Sequence, residues 1–301
     1  MKPLHWLFAG AMAVAAIGPA AAQDQSSGMM LPPKVLTITR EFVKPGKAGA
    51  MHDKTESAFV QAMARAKWPT HYLGMNSQSG KSRSLFFAGY DSFAAWEKDE
   101  LATQKNTVLS SALERASVAD GELLDSIDSG VFMYNEEYSL NQQAEHATAA
   151  TRYFEVSVYH VKPGRHKEWD EGVKMVLAAY KRALPDAHWA CYESVYGAPE
   201  GTFLFIVARK SASELDTDFA HNKDFAMAMG EEGMKKLDEF GAASIESSET
   251  NLFTLNPNMS YAPAEWIKAD PDFWKPKAAT SLAAAPKKPA EKAEEKPSGA
   301  Q

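Results

Sequence analysis

Val35-Leu36-Thr37-Ile38-Thr39-Arg40-Glu41-Phe42-Val43-Lys44-Pro45-Gly46 decides the fold, because its ending returns 118 residues later as Val161-Lys162-Pro163-Gly164. Apolar and polar residues alternate through much of residues 35–43, the period-two mark of a strand with one buried face, and Pro45-Gly46 stops it. Beyond the turn, Phe59, Ala62, Met63 and Ala66 fall on one helical stripe. Trp68-Pro69 ends that helix, since the residue before a proline is pushed out of helical geometry. Residues 71–77 and 84–90 read as a hairpin turning through Gln78-Ser79-Gly80-Lys81, a second helix runs through Trp96 and Leu101, and residues 131–134 form a closing strand.

The same order recurs from residue 153. The strand of residues 153–161 leads to a helix striped with Trp169, Val173, Val176, Leu177, Tyr180 and Leu184, ended at Pro185. A hairpin of residues 188–195 and 203–207 follows, then a helix and a last strand at residues 252–255. Thr70-His71-Tyr72 answers Ala187-His188-Trp189, and Ser84-Leu85-Phe86-Phe87 answers Thr202-Phe203-Leu204-Phe205. Each copy is therefore strand, helix, strand, strand, helix, strand, the ferredoxin-like unit, with helices on one face of a four-stranded sheet. The other face needs cover. The expected fold is α+β: two tandem ferredoxin-like units, residues 33–138 and 151–262, packed sheet to sheet as an intramolecular α/β barrel. Residues 139–150 read as a polar, structureless linker.

The ends of the chain are of other kinds. Lys2, an Ala-rich apolar run and Ala20-Ala21-Ala22 make residues 1–22 a signal peptide cleaved after Ala22, so a periplasmic or secreted location is expected. Residues 263–301 read as an extended and disordered Ala/Pro/Lys/Glu tail. Losing Lys2 with the signal takes the formal charge from −7 to −8, a poor match for nucleic acid or anionic lipid. No later stretch is long enough to span a membrane. Cys191 is the only cysteine, which excludes a disulfide framework and a thiolate metal cluster.

On the doubled strand–Val-Lys-Pro-Gly–helix unit, residues 35–261 resemble the dimeric α/β barrel superfamily, which includes NIPSNAP-type, antibiotic-biosynthesis-monooxygenase-like and EthD-like domains. The resemblance implies two units closing one barrel, with a pocket in each unit. Its members range from cofactor-free oxygenases to haem-handling proteins, and no shared catalytic pattern carries over.

The candidate pocket residues are His71, Tyr72, Glu155, Tyr159, His188 and Trp189. His71 and His188 hold matching places, each followed by an aromatic, and either suits a proton shuttle or a ligand, or a packed imidazole bonded to a carbonyl. Glu155 and Tyr159 alternate with apolar neighbours and form an acid/base pair if that face looks into the barrel; otherwise it is a solvent-facing side. Where the halves diverge, Glu41 against Tyr159, Thr37 against Glu155 and Gly74 against Cys191, the richer polar strand favours the second half as the one with the working pocket. His52, His160, His166 and His221 lack a recognised ligand spacing and read as surface residues, so no metal site is expected. There is no dinucleotide loop, phosphate loop, His-Glu-x-x-His or Gly-x-Ser-x-Gly elbow. The reading is an exported protein binding a small apolar or aromatic molecule, with no cofactor expected. The alternative is a cofactor-independent monooxygenase-like or haem-handling enzyme. One chain satisfying its own barrel is compatible with a monomer.

Overall fold

The structure, a computed structural model, describes residues 32–141 and 147–275. The signal segment and residues 276–301 of the tail lie outside the described residues. Eight antiparallel strands form one closed barrel: β1 (Val35–Val43), β2 (Tyr72–Ser77), β3 (Arg83–Tyr90), β4 (Leu124–Tyr134), β5 (Tyr153–Val161), β6 (Ala190–Tyr196), β7 (Thr202–Arg209) and β8 (Ile245–Leu255), in the order β1-β3-β2-β8-β5-β7-β6-β4. Seven helices are seen among the described residues: α1 (Ala50–Ala66), α2 (Phe93–Lys105), α3 (Thr107–Gly121), α4 (His166–Ala183), α5 (Ser213–Ser244), α6 (Ala264–Ala269) and α7 (Pro271–Trp274).

Sheets that merely faced one another would leave open edges. Here the edges are hydrogen-bonded instead: β2 pairs with β8, and β4 with β6, so the barrel has no free edge. Cross-strand register then sorts every side chain inward or outward. Leu36, Ile38, Leu73, Met75, Leu85, Phe87, Phe132, Phe154, Val156, Tyr192, Leu204, Ile206 and Phe253 share one buried core inside the barrel. Their neighbours along each strand face the helices.

The helix-facing layers differ between the halves. Under α4 and α5, Tyr159, Trp169, Val173, Val176, Tyr180, Trp189, Phe203, Phe205 and Leu237 make a large apolar core. Under α1 and α3 the apolar core shrinks to Ala62, Trp68 and Leu109. The helix expected after the first hairpin is two, because Asn106 ends α2 and caps α3 through its side chain.

Two boundary expectations are corrected. Residues 264–274 are not part of an extended tail: α6 and α7 bury Trp266 and Trp274 on the barrel core, the hydrophobic gain that orders them. In the supposed linker, Leu140 is buried and bridges Trp189. After β8 the chain runs back to the first half. Asn256 N donates to the Gly74 carbonyl at 2.9 Å, and Ser260 Oγ accepts from Gly74 N at 2.9 Å.

Candidate functional site

Small cavities open at the two ends of the barrel. One, of about 80 Å³, is lined by Leu36, Leu73, Phe87, Phe154, Ala190, Tyr192, Ile206 and Ala208, with His71 and Tyr72 beside it. It shares Pro32, Pro33, His71 and Gly89 with a surface groove of about 870 Å³ that runs past Trp68, Thr70, Tyr90, Lys98 and Asp99. The groove's polar wall is already organised. Asp99 accepts from Trp68 Nε1 at 2.9 Å and from Thr70 Oγ1 at 2.7 Å. The cavity at the opposite end holds about 220 Å³ and has Arg40, Arg83, His160 and Glu249 around an apolar floor.

Both end cavities are built by strands of both halves, so the expected choice between two separate pockets, and the preference for the second half, are replaced by shared sites. Of the six candidate residues, the structure brings His71 and Tyr72 to one cavity and places the other four elsewhere. His71 Nδ1 lies 3.1 Å from the Tyr261 carbonyl, which it can only donate to, so Nε2 carries the lone pair. Glu155 and Tyr159 alternate with apolar residues as expected, but the apolar partners Phe154 and Val156 face the barrel interior. Glu155 and Tyr159 look outward under the helices, because α4 and α5 cover that face. Glu155 accepts from buried Arg209 at 2.7 Å, and Arg209 also pairs with Asp218 of α5. Burial raises Asp218 to about 6, against the opposing Arg209 charge. Tyr159 packs on Trp169 and Phe205, and burial raises its hydroxyl's pKa. Trp189 Nε1 donates to the Tyr138 carbonyl at 2.8 Å, and its ring meets Tyr180 edge to face. His188 sits half-buried before β6, its pKa lowered by burial.

The residues that sequence reasoning missed lie under α1 and α3. His52 is not at the surface: it is 1 % exposed, and Glu41 is buried too. The reason is register. Residues 52, 56, 59, 63 and 66 lie on one stripe of α1, so His52 and Glu56 continue the apolar face toward the sheet. Glu41 and Ser84 are cross-strand partners, as are Ser84 and Asn76, giving a polar row across β1, β3 and β2 on that same face. Asp120 reaches in from the last turn of α3. One donor atom each from Glu41, His52, Glu56 and Asp120 lies within 4.8 Å of the others. His52 Nε2 is 3.0 Å from Glu41 Oε2, 3.4 Å from Asp120 Oδ1 and 4.0 Å from Glu56 Oε1. The Thr55 hydroxyl sits 2.6 Å from Asp120 Oδ1.

The electrostatics follow from burying three acids with one base. Burial alone would lower the pKa of His52, but hydrogen bonds to Asp120 and Glu41 outweigh it and lift it to about 10. Burial, then the charges on Glu41 and Asp120, push Glu56 up to about 9. Burial raises Glu41 as well, and raises Tyr72, whose hydroxyl also feels Glu56 and Glu41. The i, i+4 pair His52 and Glu56, in phase with the stripe below it, was the available sequence signal.

No family model matches the sequence, and no curated protein matches it. Solved structures similar in chain path include a monooxygenase candidate from Fusobacterium nucleatum (13% identity, 75% of this chain and 94% of that one, TM-score 0.49). Others are an anthrone oxidase-like protein (14%, 74% and 91%, 0.45) and a mutant chlorite dismutase from Candidatus Nitrospira defluvii (11%, 77% and 95%, 0.46). At these values the likeness carries no chemistry to this chain.

Proposed function

We propose that the protein is exported and binds a small apolar or aromatic molecule at the barrel end beside His71, and that its two halves are diverged copies of one ferredoxin-like unit. The observation that carries the binding reading is the continuity between an apolar cavity inside the barrel and a polar-walled groove outside it. The inner cavity, about 80 Å³, is smaller than the roughly 150 Å³ apolar cavity that holds benzene. It therefore takes one end of a ligand, a ring edge or short alkyl group, while the polar remainder lies along Thr70, Tyr90 and Lys98. Calorimetry with substituted phenols, quinones and short-chain acids tests this. Ala190→Phe, which fills the inner cavity, should abolish whatever binding the parent shows; unchanged binding would place the ligand elsewhere.

A second reading, an oxygenase-like enzyme without a cofactor, is favoured by one feature: the lone pair on His71 Nε2 at an apolar cavity suits a general base. Oxygen uptake with easily oxidised phenolic substrates, lost in His71→Gln, is its test. Haem is too large for the two enclosed end cavities, and among the sites described only the groove of about 870 Å³ beside His71 has room for it. The end cavities, about 80 and 220 Å³, fall below the roughly 300–1,000 Å³ of pockets that enclose drug-sized ligands, and the layer beneath α4 and α5 is packed with aromatic side chains.

A further inference from the structure

We infer that Glu41, His52, Glu56 and Asp120 form a binding site for one divalent first-row transition ion, Mn²⁺, Fe²⁺ or Zn²⁺, which ties β1, α1 and α3 together. The donor set is one imidazole nitrogen and three carboxylates, a mixture of the ligands that suit Zn and Fe with those that suit Mn. Its dimensions are close to those of a coordination sphere. Ligand atoms bound at ~2.0–2.2 Å lie at most ~4.4 Å apart, and roughly 3.0–3.6 Å when adjacent. The separations of 3.0, 3.4 and 4.0 Å from His52 Nε2 already meet this, and the widest pair, within 4.8 Å, needs to close by only a few tenths of an ångström.

Two observations independent of the acidic count point to a cation. First, Glu56 Oε1 is shielded from solvent and has no hydrogen-bond partner, in a residue only 3 % exposed. The nearest positive group, His52 Nε2, stands 4.0 Å away, too far for a hydrogen bond, and a buried carboxylate oxygen aimed at other acids is costly unless a cation comes closer. The shielded hydroxyl of neighbouring Tyr72 is likewise without a partner. Second, the outer hydrogen bonds fix the imidazole. The Ser84 hydroxyl donates to Asn76 Oδ1 at 2.7 Å, so toward His52 Nδ1, 3.4 Å away, it accepts. His52 therefore keeps a hydrogen on Nδ1 for Ser84, while Nε2 faces the three carboxylates; without an ion Nε2 bears a hydrogen too, donated to Glu41, and an incoming cation takes the place of that proton. This is how metal-bound histidines are held, with the second ring nitrogen bonded to an outer partner.

The packing of the halves gives the site a purpose. In the second half the matching layer is an aromatic core in which Tyr159 replaces Glu41. In the first half that core is nearly missing, and the polar cluster occupies its place. All four ligands come from the protein and all are buried, the pattern of a structural rather than a catalytic metal.

The test uses the mature full-length protein, stripped with chelator, dialysed against Mn²⁺, Zn²⁺ or Co²⁺ separately and assayed for bound metal by mass spectrometry. The expected result is one equivalent of at least one ion, visible ligand-field absorption with Co²⁺, and a rise in thermal midpoint on loading. Glu56→Gln and His52→Asn, each checked for native circular dichroism, should bind at least tenfold more weakly. Asp170→Asn, half-buried on α4 in the second half, should bind as the parent does. Parent protein that takes up less than a fifth of an equivalent of every ion overturns the inference. So does uptake that survives in folded Glu56→Gln and His52→Asn. Should neither variant fold, the parent's uptake and Co²⁺ spectrum decide alone: absorption without nitrogen and carboxylate character counts against the site.

Discussion

Arg209→Met probes how the second half is held together and whether Glu155 belongs to structure or to a pocket. The Arg209 side chain has no solvent exposure and pairs with Glu155 and Asp218, themselves almost wholly covered. Removing the guanidinium leaves two carboxylates in an apolar layer with no charge to answer them. Breaking a buried pair from one side costs about 3–5 kcal/mol. At ~2–4 °C per kcal/mol for a chain of this size, the thermal midpoint should fall by roughly 6–20 °C. The loss has a pH signature. Asp218 sits at about 6 when folded against an ordinary 3.8, so its ionisation weakens folding as pH rises from 3.8 through 6 and no further above that. Without Arg209 the folded pKa climbs higher and the weakening continues past pH 6. The gap between variant and parent is therefore smallest near pH 4 and widest near pH 8. Urea unfolding at pH 4.5, 6 and 8 measures it. The triple change Glu155→Leu, Arg209→Met, Asp218→Leu should recover most of the loss, since an apolar trio of similar volume needs no partner. A single variant costing under ~1 kcal/mol at pH 8, or the same at pH 4.5 and 8, refutes the reasoning.

Other outcomes are expected on the same grounds. A Cβ on Gly74 would lie 2.4 Å from the Met259 carbonyl oxygen and 2.8 Å from Met259 Cβ, so Gly74→Ala should lift the segment after β8 off β2 and cost about 1–3 kcal/mol by urea unfolding. Unchanged stability would mean that this contact is loose. Trp169→Ala removes a ring stacked on Phe203 at 5.2 Å and packed on Tyr159, and should cost about 3–5 kcal/mol in the same assay. If the first residues are an export signal, protein recovered from the extracytoplasmic fraction should begin at Gln23 by intact mass; retention of Met1 there argues against cleavage.

The architecture was legible wherever burial left a period in the sequence. Residues 35–43 and 153–161 alternate, and they are β1 and β5 to the residue. The closing strands were seen only in part: β4 begins at Leu124 and β8 at Ile245, but Asp125, Ser126, Asp128 and Ser129, like residues 246–250, are polar and exposed, so no pattern marked them. The site was harder to read for a physical reason. A polar side chain on a strand reads as solvent-facing unless something covers it, and cover is a property of the topology. Glu41 and Glu155 sit on faces hidden by helices that arrive from elsewhere in the chain. His52 is hidden from a sequence reading because the apolar residues of the α1 stripe begin at Phe59, while its phase extends back through Glu56 to His52. His71 kept its place near a cavity because it precedes its strand at the barrel rim, where neither sheet face nor helix layer claims it.

The two seams that close the barrel also set an order in time. Once residues 32–134 leave the ribosome they can pair β4, β1, β3 and β2, but the outer edges of β4 and β2 stay bare. The first is met by β6 and the second only by β8, whose last residue is Leu255. The segment that then fastens to Gly74 is later still. Through most of synthesis the nascent chain therefore carries two unprotected strand edges, the condition under which sheets recruit strangers. The seams join residues more than fifty positions apart, so loop closure, rather than strand formation, should limit the rate at which the native barrel appears.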